Sequence, residues 1–255
     1  RVYSVVARCF NAFSLAAQGR FRDAEASAER CLGLADATDT PFLRALAAWA
    51  MGNAQLGRGP GAGAAGKLEE AYHYCENAEL LAIRPWIATD LARARWLAGR
   101  VEETLALLGA AIDEAAAHGL LSQHSLRYAY LSEAQLAGGR EEEAEASATR
   151  AVALAVEHGE SGFRVEALRA LARVAWRRSS PDLEAATAHL GDALALAEDL
   201  QMRPAIAHCH DDLAQVSRRM GWREAAARHL EAARELYREL DLPYWRERLS
   251  WGGWP

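Results

Sequence analysis

The sequence predicts an all-α, right-handed solenoid of about six helix pairs ending in a C-terminal capping helix, one repeat domain over residues 1–255. Three observations predict it. Turn signals recur at positions 19, 57, 99, 139, 179 and 221, spaced by 38, 42, 40, 40 and 42 residues; self-similarity at a fixed period of this size is what stacked helical units leave in a chain. Eight and seven residues before each turn stands a large-then-small pair: Asn11-Ala12, Trp49-Ala50, Leu91-Ala92, Leu131-Ser132, Leu171-Ala172 and Leu213-Ala214. The small member lets a neighbouring helix approach and the large one fills the layer. After the turns come trios at spacings of four and three: Ala24-Ala28-Cys31, Ala71-Cys75-Ala78, Thr104-Leu108-Ala111, Ala144-Ala148-Ala151, Ala186-Leu190-Ala193 and Ala226-Leu230-Ala233. That spacing puts each trio on one helix face.

Each element has local support. The first helix, about Val2 to Gln18, ends at Gly19, where a left-handed residue after a helix end favours glycine. Its partner runs from about Arg22 to Ala35. Thr40-Pro41 opens the next helix with a capping hydroxyl and a proline at the first helical position. The run RGPGAGAAG over 58–66 reads as a flexible surface insertion before a partner helix from Lys67 to Ala82. Arg84-Pro85 opens the third pair, which turns at Gly99-Arg100. The fourth turns at Gly138-Gly139-Arg140, and the fifth at Ser179-Ser180-Pro181-Asp182, with Ser180 as N-cap and Pro181 as first helical residue. The sixth begins at Pro204 and turns at Gly221, and Asp241-Leu242-Pro243 starts a capping helix over about 243–250.

Composition bounds the function classes. Of the 255 residues 51% are hydrophobic, enough for a sizeable core, and abundant Ala, Leu, Glu and Arg favour helix. The net charge of −6 provides no global basic field for nucleic acid, and no apolar run of about 18 residues could span a membrane. No signal-peptide pattern opens the chain, and a start at Arg1 rather than Met implies a piece of a longer protein. Cys9, Cys31, Cys75 and Cys209 form no CxxC pair and fall on Ala/Leu faces, as buried thiols of a cytoplasmic protein do.

The columns resemble the tetratricopeptide repeat, with Gly19-Phe21-Ala24 the nearest match to its Gly turn, aromatic and Ala. The later repeats put Val101, Glu141 and Arg223 at the aromatic position, and the period near 40 exceeds the usual period of about 34, so the helices are longer. A narrower resemblance lies in RPAIAHCHDDL, RRMG and LYRELDLPYW, carried by Arg203, Pro204, His208, Cys209, His210, Leu213, Arg219, Gly221, Tyr237, Asp241 and Trp245. This looks like the C-terminal tetratricopeptide region of large bacterial ATP-binding regulators, adenylate-cyclase-linked or of LuxR type. The resemblance implies a sensor or interaction segment, and a GxxxxGK[ST] phosphate loop is absent from the sequence.

Chemistry competes with packing at several positions. His208 and Asp212 share a helix face at a spacing of four, as two metal ligands could, but no second pair of comparable spacing accompanies them. No metal or other cofactor is therefore expected. Glu141-Glu142-Glu143 sits at a helix start and complements the helix dipole. Ala-rich layers supply no strained loop for a nucleophile, so an enzyme with its active site in the groove ranks below a binding module.

In such arrays the first helix of each pair lines a concave groove. The groove-facing positions include Val6, Cys9 and Phe13; Arg44, Met51 and Gln55; Trp86, Thr89, Arg93 and Trp96; Leu126 and Glu133; Glu166, Arg169, Arg173, Trp176 and Arg177; and His208, Asp211, Gln215, Arg218 and Arg219. From these, Arg44, Trp86, Arg93, Trp96, Glu133, Arg169, Arg173, Trp176, His208, Asp211, Gln215 and Arg218 are the candidate ligand- or partner-contacting set. Trp supplies rigid apolar area and Arg forks clamp carboxylates. The function expected is a non-enzymatic scaffold and regulatory module that binds an acidic protein or peptide segment. A small-molecule sensor controlling an attached ATPase or transcription factor is the alternative. An open groove suits the peptide and a closed pocket under Trp96 and Trp176 the small molecule. Trp245, Trp251 and Trp254 at the end of the array point to a homodimer or a neighbouring domain.

Overall fold

In the computed structural model, which describes residues 2–38 and 40–251, periodic helices alternate with turns of a few residues. They are α1 (Val2–Ala17), α2 (Phe21–Asp36), α3 (Pro41–Leu56), α4 (Ala62–Asn77), α5 (Arg84–Leu97), α6 (Val101–Ala117), α7 (His124–Ala137), α8 (Glu141–Glu157), α9 (Ser161–Arg177), α10 (Leu183–Asp199), α11 (Arg203–Arg219), α12 (Arg223–Glu239) and α13 (Pro243–Trp251). No strand occurs among the described residues, and no helix among them is long and apolar enough to cross a membrane.

The odd-numbered helices form an inner layer and the even-numbered ones an outer layer. Burial separates them: α3 buries Leu43 and then most positions from Ala45 to Leu56, whereas α12 buries only Ala233 and Tyr237. The small faces make the close approach possible. Ala144, Ala148 and Ala151 are fully buried, as are Ala186, Leu190 and Ala193, while Ala226 and Leu230 in the last pair are half-buried. Where a hydroxyl takes a small position it bonds across the pair: Thr104 Oγ1 donates to the Ala92 carbonyl (3.3 Å) and Ser132 Oγ to that of Ala144 (2.8 Å). Burial of these polar atoms is thereby compensated.

Three local expectations differ from the structure. Helix α4 ends at Asn77 and not near Ala82. The glycine-rich run is helical from Ala62, leaving only 57–61 as a loop. Ala64 and Leu68 are buried against the first repeats, and that packing outweighs the helix cost of Gly63 and Gly66. At the fifth turn, Asp182 rather than Ser180 is the N-cap; its side chain accepts from Ala185 N–H at 2.9 Å, and Pro181 precedes the cap. The four cysteines are free and buried, and burial raises their thiol pKa values.

The array curves until its ends meet. α1 touches α11 as well as its own neighbours. One apolar core runs from Val5 through Leu97 and takes in Tyr237, Leu240, Leu242, Trp245 and Leu249 from the far end of the chain. The inner layer therefore closes into a ring of six helices with α13 across the join.

Candidate inner-wall binding site

The inner wall carries a chain of charged side chains, each linked to one about a repeat away. Asp212 of α11 accepts from Arg169 Nε (3.1 Å) and from Arg173 Nε (3.1 Å) and Nη2 (2.9 Å), both on α9. Arg173 also pairs with Glu133 of α7, and Arg169 Nη1 donates to Glu166 at 2.8 Å. Asp212, Arg169 and Arg173 are no more than 2% exposed. Arg93 of α5 lies 4.6 Å over the Tyr130 ring, extending the network along the wall.

Charge balance sets the ionisation. Burial opposes ionisation of Glu166, but Arg169, Arg93 and Arg173 together hold its carboxyl below the usual range. Burial likewise works against the Arg169 guanidinium, yet Glu166 and Asp212 push its pKa well above the ordinary value. Asp211, beside this network, goes the other way: burial and then the Asp212 charge raise its pKa to about 6, only partly offset by Gln215 Nε2 at 3.3 Å. His208 Nδ1 lies 2.6 Å from the Tyr237 hydroxyl, and the His208 ring packs 4.7 Å from Trp245. Burial, reinforced by Arg169, Arg93 and Arg173, drives its pKa well below the usual histidine value.

A second inner cluster is aromatic. Phe13, Trp49 and Trp86 follow one another from α1 to α5, with centroids 4.4 and 6.0 Å apart. Trp49 Nε1 and Asn53 Nδ2 both donate to Asp90, at 2.7 and 2.9 Å. Burial still raises the Asp90 pKa despite these two bonds.

At the C-terminal ends of α9 and α11 the wall opens onto an exposed rim. Trp176, 7% exposed, has the Arg219 guanidinium 4.8 Å and that of Arg177 5.2 Å from its ring centroid. Arg219 Nη1 also donates to the Trp176 carbonyl at 2.8 Å, and the exposed Arg218 donates to Gln215 Oε1 at 3.1 Å.

The structure thus gathers Glu133, Arg169, Arg173, Trp176, His208, Asp211, Gln215 and Arg218 on three consecutive inner helices, with Arg93 adjoining. Arg44 and Trp86 lie half-buried on α3 and α5. Trp96 and Trp176 sit in separate apolar clusters. His208 and Asp212 turn to different partners, and among the described residues no three His, Cys, Asp or Glu side chains gather as around a metal ion. Trp245, expected at an exposed end, is 2% exposed inside the join, while Trp254 lies outside the described residues.

Four residues fall outside the predicted set: Asp212 at the centre of the network, Tyr130 against Arg93, Tyr237 against His208, and Asp90 in the aromatic cluster. A signal existed: the paired groups lie 39, 40, 41 and 43 residues apart (Arg173–Asp212, Glu133–Arg173, Trp49–Asp90, Arg169–Asp212), one repeat each.

No family model and no curated protein matches the sequence. Solved structures do resemble the fold. A Rap protein complexed with Competence and Sporulation Factor superposes with a TM-score of 0.73 at 11% identity, covering 98% of this chain and 80% of that one. BtubC (BKLC) from P. vanneervenii gives a TM-score of 0.60 at 17% identity, covering 87% and 92%. A Podosopora anserina putative kinesin light chain variant with nearly identical TPR-like repeats is 23% identical over 69% of this chain and 89% of its own, with a TM-score of 0.48. The described residues form an all-α, TPR-like solenoid of six helix pairs with a C-terminal cap.

Proposed function

We propose that this chain is a non-enzymatic scaffold that binds an acidic protein or peptide segment through its inner wall and the rim at the ends of α9 and α11. The observation that carries this reading is the rim itself: a largely buried tryptophan flanked by two guanidinium groups, with Arg218 exposed beside them. Aromatic and Arg side chains of this kind anchor protein interfaces, and Arg forks match carboxylates. The complex of the Rap protein with Competence and Sporulation Factor supports the reading by fold alone. The deeper arginines serve a different purpose. Glu133, Glu166 and Asp212 neutralise Arg169 and Arg173, so these two shape the wall instead of presenting net charge.

The regulatory role, as part of a larger ATP-binding regulator, rests on the resemblance of residues 203–249. A small-molecule ligand is the second reading, favoured by the meeting of the chain ends, which restricts entry to the inner wall. Catalysis draws no support from the site, since His208 Nδ1 and both Asp212 oxygens are engaged by Tyr237, Arg169 and Arg173.

Selection from a random peptide display library against the immobilised chain, in parallel with a metabolite thermal-shift screen, tests this. Enrichment of acidic peptides that compete with one another is expected. Thermal shifts from small molecules without any peptide enrichment would favour the second reading.

A further inference from the structure

We propose that α13 is a latch that closes the ring of inner helices onto the first repeats and opens without unfolding the array. Solenoid repeats contact their sequence neighbours, so a contact between first and last repeats lies outside the stacking that holds each unit together. Here that contact joins an apolar patch, in which Leu240, Leu242, Trp245 and Leu249 share one core with the first repeats, to a few polar and turn contacts. Trp245 Nε1 donates to the Gly57 carbonyl at 3.1 Å. Asp241 accepts from Arg58 at 3.1 Å and from Arg22 at 3.4 Å. Tyr244 lies over Gly59, and Leu240 over Gly19.

The two glycines show that the fit is specific. A Cβ on Gly59 would stand 2.8 Å from Tyr244 Cγ and 2.9 Å from its Cβ, and a Cβ on Gly19 would stand 2.5 Å from Leu240 Cδ2. Both have positive φ, +132° and +83°. The corresponding turn glycines Gly99, Gly139 and Gly221 have nothing within 4 Å of an added Cβ. A Cβ on Gly57 would collide with Phe21 of the neighbouring repeat, so close approach at a turn also occurs between neighbours; at Gly19 and Gly59 it is made by residues from the far end of the chain. The polar edge of the join faces open surface. Grooves of about 380 and 420 Å³ flank it; Tyr244 and Gly59 line one, Leu240 and Asp241 the other, and Arg58 both. Its ion pairs are partly or largely exposed, a setting in which such pairs hold weakly.

Trp245 connects the latch to the inner wall. The same ring that bonds Gly57 packs against His208, which in turn bonds Tyr237. Lifting α13 would free the first repeats and uncover His208 together, so the state of the join and access to the wall change in one movement. This holds whether the occupant is a peptide or a small molecule.

The test is a distance measurement on the full chain. Spin labels placed at the exposed positions Gln18→Cys and Arg246→Cys straddle the join, and the four native thiols are buried and protected from labelling. The native background should give a short, dominant distance. Adding Asp241→Asn and Trp245→Phe, which remove the ion pairs and the Gly57 bond, should shift the population to longer distances while far-UV helicity is retained. An unchanged distribution in the variant would overturn the latch, and so would loss of helicity throughout the array, because the join would then be part of the cooperative core.

Discussion

At the scale of single residues, Asp212 is where two buried guanidinium groups converge, and charge, not hydrophobicity, decides how the inner wall packs. Removing it in Asp212→Ala leaves Arg169 and Arg173 undercompensated in a dry setting, where loss of one partner costs about 3–5 kcal/mol; chemical denaturation should show a loss of that order. Charge reversal of Arg169 or Arg173 would for the same reason report on folding before it reported on binding. Asp211 behaves oppositely. Its pKa is raised from 3.8 to about 6, so the folded state holds a proton that the unfolded chain gives up. This group therefore favours the folded state at low pH, and that contribution is lost as pH rises from about 4 to about 6. Asp211→Asn should match the parent near pH 4, gain on it through that window, and be more stable by about 2–3 kcal/mol at neutral pH, the size that a shift of roughly two units implies. Arg127 is fully buried, with Nε 3.4 Å from the Pro85 carbonyl and its two Nη atoms lacking a hydrogen-bond partner among the described residues; burial lowers its pKa to about 10. Arg127→Met, which fills the volume without a charge, should raise the melting temperature, since replacing a poorly compensated buried ion by an apolar group often gains about 1–4 kcal/mol.

At the scale of elements, the pairs are held by alternating small and large side chains, and each has its own failure mode. Leu190 is fully buried between Ala186 and Ala193 on α10, so Leu190→Ala opens a cavity and should cost about 2–5 kcal/mol in a denaturation titration. The regular spacing of turns and trios made these elements readable in the sequence, because helix periodicity and turn chemistry are local. Two boundaries were not readable for the converse reason. Nothing local says that a run with Gly61, Gly63 and Gly66 will be helical from Ala62; the deciding contact is Leu68 lying against Gly52 of the preceding helix, where an added Cβ would meet Leu68 Cγ at 2.6 Å. Ser180 and Asp182 are both capable caps, and Asp182 captures the Ala185 amide. For the inner wall, periodicity placed Glu133, Arg169 and Arg173 on inward helix faces, and Arg173 does pair with Glu133. It could not say that Asp212 would occupy the space between the arginines, since the helix rotation that turns Asp212 inward is set by packing between layers. That packing also makes the arginines ion-paired members of the wall, and leaves Arg218 and Arg219 as the exposed cations at its rim.

At the scale of the whole molecule, curvature brings together residues that the sequence keeps some two hundred positions apart. Trp245 and Gly57 bond across 188 residues, and Asp241 and Arg22 across 219. No periodic pattern encodes such a contact, because it follows from small rotations accumulated over six pairs. Closure of the ring leaves Arg218 and Arg219, at the C-terminal end of α11, exposed beside Trp176. The proposed recognition surface is the exposed pair Arg218 and Arg219. The most direct measurement is a binding titration of an acidic peptide selected on the parent chain against Arg218→Glu/Arg219→Glu, with Arg234→Glu on the exposed face of α12 as control. The rim variant should keep its helicity and lose at least tenfold in affinity while the control binds as the parent does. Equal affinity of all three proteins would contradict the proposed surface.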